Sequence, residues 1–115
     1  MQAWLEEMKL DTRERVRAAI DNRLIYLQAT KDPGRPLVAP LTGGDCQGLF
    51  EMRFRIQRVQ YRPIFFYGPG PGELTLLAGA IEKGRDLRPR SVCLIAQRRK
   101  ALAMEDRRCV REYFS

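Results

Sequence analysis

Between Phe50 and Tyr67 the chain reads FEMRFRIQRVQYRPIFFY, and its first half alternates apolar and polar residues with a period of two. Phe50, Met52, Phe54 and Ile56 point to one side, while Glu51, Arg53, Arg55 and Gln57 point to the other, which is the pattern of a half-buried strand with a cationic outer face. From Ile64 to Tyr67 both faces are apolar, as in a central strand covered by helices. The GPGPG run, Gly68–Gly72, allows no regular structure and reads as a hairpin loop. It leads into ELTLLAGAI, a third strand that is again apolar on both faces. Strands joined this closely pair antiparallel, so the rest of the chain must pack on a sheet.

The remaining segments supply the helices. DTRERVRAAIDNRLIYLQAT places Val16, Ile20, Leu24 and Leu27 on one stripe, and Asp11 stands three residues before Glu14 as in a capping box, predicting a helix from about Thr12 to Gln28. Its Arg13, Arg15, Arg17 and Arg23 are expected on a solvated outer side. Trp4, Leu5 and Met8 suggest a short helical turn before it. The run from Thr30 to Gly48 is rich in Pro and Gly and reads as a connection pinned to the core by Leu37, Val38 and Leu41. After EKGRDLRPR, Pro89 suits the first turn of a last helix reaching about Tyr113, with Val92, Ile95, Leu102 and Cys109 on its stripe. The expectation is a single α+β domain over residues 1–115. It would hold an antiparallel sheet of three to four strands with N-terminal helices and a C-terminal helix packed on it. A chain of this length buries roughly two thirds of its unfolded surface, enough for a core without metal or disulfide.

The formal charge of +7 is unevenly placed. Residues 1–30 and 101–115 are each neutral, whereas residues 50–62 and 83–100 together carry +9. Of 21 cationic side chains 17 are Arg, whose planar fork matches phosphate oxygens, so a polyanionic partner is the leading inference; arginine-rich codon usage would give the same ratio. Cys46, Cys93 and Cys109 are odd in number and widely spaced, and the chain has no His, so they read as reduced thiols rather than metal ligands. There is no basic-then-apolar leader and no apolar run of membrane length, so the cytoplasm is the expected compartment and no membrane partner is expected.

If a short turn near Arg58 and Val59 joins the first two strands, Arg55 falls opposite or diagonal to Arg62. Arg53, Arg55 and Arg62 then share one face with Glu51. Clustered like charges destabilise a sheet unless an anion or carboxylates neutralise them, so the face suits phosphate, or else its arginines simply pair with Glu51, Glu82 or Asp86. Lys83 and Arg85 leave the third strand where the second basic window would complete one groove.

The order of elements, with PLTGG ahead of LFEMRFR, then YRPIFFY, then LLAGAIEKGRDLRP before a helix, resembles the RelE/HigB superfamily of toxin-antitoxin toxins, in particular its phage-derived HigB-like branch. The similarity runs from about Thr12 to Arg99. It implies a RelE-like fold and a ribosome-dependent mRNA endoribonuclease, or mRNA interferase. Attack of a ribose 2′-hydroxyl on the adjacent phosphorus would leave a cyclic phosphate and a free 5′-hydroxyl. It further implies no metal or other cofactor, and as partners the ribosome, mRNA and a cognate antitoxin, acidic and in some forms a helix-turn-helix protein.

Carried over by position, Arg53, Arg62 and Lys83 are implied to stabilise phosphate and transition state with Arg55 in support, and Arg55 together with Arg58, Arg85 and Arg88 of the two basic windows are the expected RNA or phosphate contacts. Glu51 stands where some members have lysine, and Gly84 and Leu87 replace lysines of the HigB-like branch. Glu51 is then either the general base or the mark of a weakened site. The acid falls to Lys83, Tyr61 or a ribosomal group, with Tyr61 more in keeping with the core. Members usually have a strand before the first helix, where this chain begins with helix. Two other readings stand beside the toxin. One is a non-catalytic, phage-derived module holding nucleic acid or protein on the same face, and the other an assembly component with incidental charge.

Overall fold

The computed structural model describes residues 2–29 and 38–105. They form helices α1 (Gln2–Glu6) and α2 (Leu10–Ala29) and strands β1 (Val38–Pro40), β2 (Phe50–Met52), β3 (Phe54–Ile56), β4 (Val59–Tyr67), β5 (Leu74–Lys83) and β6 (Asp86–Arg88), followed by helix α3 (Val92–Glu105). The class is α+β: N-terminal helices, a curled antiparallel sheet, and a C-terminal helix packed on it.

The sheet is wider than the repeating pattern implied. Its order is β1-β2-β4-β5-β6, with β3 also paired to β4. Two three-residue strands, β1 and β6, come from segments read as connections, where runs so short carry no periodicity. The strand expected over Phe50–Ile56 is interrupted at Arg53, yet both halves keep one register on β4, with Glu51 opposite Ile64 and Phe54 opposite Tyr61. That register sets Met52 across from Pro63 and Arg53 across from Arg62. Proline has no N–H to give to the ladder, which accounts for the break at this point.

Two apolar layers cover the two faces. On one, Val16 and Ile20 of α2 and Leu5 of α1 meet Met52, Phe54, Tyr61 and Phe65. Trp4 lies against Gly79, where a Cβ would overlap the indole, and its ring meets Tyr61 edge-on. On the other, Val92, Cys93, Ala96 and Ala103 of α3 meet Leu49, Ile64, Phe66, Leu77, Ala78 and Ala80. The β4–β5 register shifts between Ile64 and Phe65, and the carbonyl of Leu77 at that irregularity accepts a 2.7 Å bond from Arg99 of α3.

Several expectations at the helices are corrected. α2 starts at Leu10, so Asp11 lies inside the first turn, where its charge favours the helix dipole, rather than capping it. α3 starts at Val92, with Pro89 outside it, and its buried stripe uses Cys93, Ala96 and Ala103 while Leu102 is 59% exposed. Small residues seat α3 close to the sheet, which a search for large apolar side chains passes over. The expected extension to Tyr113, together with Leu37 and Cys109, lies outside the described residues. The reading of Cys46 and Cys93 as reduced thiols is also corrected, since the two form a disulfide. No helix among the described residues is long and apolar enough to cross a membrane.

Candidate functional site

The β3–β4 hairpin brings the arginines together. Gln57 and Arg58 form a two-residue turn with φ of 49° and 69°, and Ile56 pairs with Val59, Arg55 with Gln60 and Phe54 with Tyr61. Since side chains alternate, Glu51, Arg53 and Arg55 share a face with Ile64, Arg62 and Gln60 of β4, and through β5 with Ala78, Ala80 and Glu82. This is the face that carries α3.

Arg62 lies at the centre of this lattice, with its side chain only 8% exposed. It donates from Nη2 to Glu82 Oε2 at 2.9 Å and from Nη1 to the Tyr61 carbonyl at 2.9 Å. Its Nε is 3.9 Å from Glu51 Oε2, an ion pair without a hydrogen bond, and that Nε has no hydrogen-bond partner among the described residues. Glu51 is buried too, and its Oε1 accepts a 2.9 Å bond from Nε of Arg53, whose side chain remains 41% exposed. Two guanidiniums, Arg53 and Arg62, balance two carboxylates, Glu51 and Glu82, and Arg55, unpaired among the described residues, adds one positive charge to the face. Of the two readings of this face, pairing with carboxylates holds for Arg62: Glu51 and Glu82 neutralise it, and the sheet buries it rather than leaving it exposed.

Arg55 and Arg58 are exposed and have no ion-pair partner among the described residues. The second basic window does not join them on this face. Lys83 follows Ile81 in the alternation, and Ile81 pairs with Arg88 and with Tyr61, so Lys83 and Arg88 fall on the face of α1 and α2. Arg85 is exposed in the β5–β6 turn, and Arg88 and Arg90 share Asp86 at 4.0 and 3.7 Å. Gly84 takes φ +63° in the same turn, a conformation that costs glycine little. Leu87 pairs with Glu82 and is half-buried against the α3 layer. Tyr61 is buried on the α1/α2 side, and loss of hydration holds its phenol above the usual value of 10.0.

Sequence reasoning passed over Arg23. Expected on a solvated side, it instead reaches from α2 to the sheet, where Nη2 donates to the Arg53 carbonyl at 3.4 Å and Nε is buried. Arg53 stands at the break in the ladder, so its carbonyl is available to that donor. Arg13 is likewise turned inward, and its Nε donates to the Leu5 carbonyl at the end of α1. In both cases the arginine lies one helical turn from a buried residue, Arg13 from Val16 and Arg23 from Ile20, a weak signal that the charge pattern concealed.

Comparison with family models, with curated proteins and with solved structures finds no match.

Proposed function

We propose that this protein is a RelE/HigB-like toxin that acts on mRNA at the ribosome, with the exposed edge of the arginine face as its RNA contact. The observation that carries the reading is the grouping of Glu51, Arg53, Arg55 and Arg62 on one sheet face, with Arg53 and Arg55 open to solvent. Arg53 and Arg55 would take the phosphate and the charge that grows on it during 2′-hydroxyl attack. Arg62 acts through Glu51 and Glu82, whose carboxylates it orients, and Glu51 is the group on this face that accepts the 2′-hydroxyl proton. Lys83 and Tyr61 fall on the opposite face, so the proton for the leaving 5′-oxygen comes from the ribosome. The reading puts the protein in the cytoplasm beside an acidic antitoxin.

A second reading is favoured by the burial of Glu51 and Arg62: the same face holds RNA without cutting it. Glu51 is 6% exposed and its two carboxylate oxygens already face the guanidiniums of Arg53 and Arg62, which leaves a ribose 2′-hydroxyl little access to it. Primer extension on an actively translated message separates the two. Under the toxin reading, wild type cuts within codons only during translation, and Arg53→Ala removes the cuts while its circular dichroism and cooperative unfolding are retained at the assay temperature. No cutting by wild type, with retention of single-stranded RNA on filters, selects the binding module. Neither cutting nor retention removes the arginine face as an RNA site.

A further inference from the structure

The disulfide joins Cys46, at the end of the 3-10 turn Gly44–Cys46, to Cys93, the second residue of α3. It belongs to a continuous seam. One turn along α3, Gln97 Nε2 donates to the carbonyls of Asp45 and Gln47 at 2.9 and 2.8 Å. Lys100 follows, with Nζ 3.1 Å from where a Cβ on Gly48 would stand and 5.3 Å from the centroid of the Phe66 ring. Cys93, Gln97 and Lys100 are spaced i, i+4, i+7, so one stripe of α3 holds the whole segment between Asp45 and Gly48. The segment enters the sheet through Leu49, which is 1% exposed and whose carbonyl accepts a 2.9 Å bond from the Leu41 N–H. Two residues further on is Glu51.

Hydrogen bonds and a buried leucine thus place this loop independently of the sulfur bond. The two sulfurs also differ in access, since Cys46 is half-exposed and Cys93 is 5% exposed. An incoming thiolate therefore meets Cys46 first. The sulfur it displaces, that of Cys93, lies in the first turn of a helix, where backbone N–H groups favour a negative charge.

We propose that Cys46–Cys93 is a reversible thiol–disulfide latch on the loop Gly43–Gly48, opened by a dithiol reductant while the fold is kept. One thiolate of the reductant attacks Cys46 Sγ, and Cys93 Sγ departs with the bonding pair and takes a proton. The second thiol of the reductant then attacks the mixed disulfide and releases Cys46 as a thiolate, which is protonated. Two electrons pass to the protein sulfurs, and the reductant becomes a disulfide. Closed, the latch ties α3 to the approach of β2; open, the loop keeps only the Gln97 hydrogen bonds and the anchor at Leu49, and it frees itself more often.

The test uses the full chain carrying Cys109→Ser, so that both remaining cysteines belong to the latch. Dithiothreitol is the reductant and oxidised glutathione the oxidant. The expected result is a gain of two titratable thiols, retained helical circular dichroism and cooperative unfolding, and amide exchange in Gly43–Gly48 faster by about tenfold. Cys46→Ser should exchange like the reduced protein in either buffer, and reoxidation should restore the slow rate without a denaturation step. Loss of cooperative unfolding on reduction would make the bond a staple that the fold requires, overturning a latch. Unchanged loop exchange, or a bond that resists reduction until the protein is denatured, overturns it equally.

Discussion

Arg62 is held by more contacts than any other charged side chain described in the cluster, and its surroundings decide what removing it does. With the arginine gone, Glu51 keeps only its 2.9 Å contact to the half-exposed Arg53, inside a site that gives it little water. Breaking a buried pair from one side typically costs about 3 kcal/mol or more, because the remaining charge stays desolvated. Arg62→Ala should therefore lower stability by about 3 kcal/mol in urea unfolding. Glu51→Gln/Arg62→Met, which removes both charges and keeps the volume, should be less destabilised than Arg62→Ala alone. A double variant less stable than Arg62→Ala would mean that the pair, rather than the orphaned carboxylate, carries the stability. Tyr61 makes a separate prediction in pH. Burial raises its phenol above 10.0, so below pH 10 the residue is neutral in both folded and unfolded chains and its contribution is constant. Above that the unfolded chain loses the proton first and binds fewer protons than the native state, so stability falls as pH rises until the native phenol ionises as well. Thermal unfolding above pH 10 should show this loss, and Tyr61→Phe should reduce it; the half-exposed Tyr67, shifted the same way by burial, leaves a residual slope.

The β3–β4 hairpin breaks the usual chemistry of its turn. Both central residues have positive φ, as a type I′ turn requires, yet they are Gln57 and Arg58 where Asn-Gly is preferred. Gln57→Asn/Arg58→Gly should stabilise the protein by about 1 kcal/mol by removing side chains from left-handed backbone, and should weaken RNA retention by removing an exposed cation. A variant that gains stability and retains RNA as before would show that Arg58 is not a contact. Because neither turn residue carries a turn signal, the sequence placed this turn one residue late, near Arg58 and Val59. It read the long strands and α2 well, since Val16, Ile20, Met52 and Phe54 repeat at helix or strand period. It read β1, β6 and the seat of α3 poorly. The strands are three residues each, and α3 packs through Ala96 and Ala103, whose small side chains give no strong apolar stripe. The gap at Arg53 comes from Pro63 on the neighbouring strand, so nothing within Phe50–Ile56 announces it.

Across the whole molecule the charge divides by sheet face, something no count along the chain can express. The register sends Arg53 and Arg55 to one face and Lys83 and Arg88 to the other, although both windows looked ready to join. The Cys46–Cys93 bond was hidden for a similar reason: its partners are 47 residues apart and become neighbours only when α3 lies across the loop before β2. Under the proposed RNA-binding reading, face separation gives a quantitative expectation. A strand lying on the arginine face neutralises Arg53, Arg55 and Arg58, and each phosphate contact on a single strand contributes about −0.7 to the slope of log affinity against log salt, giving a slope of about −2. Lys83→Gln/Arg88→Gln should leave that slope in place, whereas Arg53→Gln/Arg55→Gln should reduce it to about −0.7. Filter binding across a salt series measures both. A wild-type slope near −4, reduced by the Lys83 and Arg88 changes, would mean that RNA wraps the sheet edge and uses both faces at once. The arginine face would then be half of a larger surface, and its ion-paired centre, Arg62 with Glu51 and Glu82, would serve to hold that surface in shape.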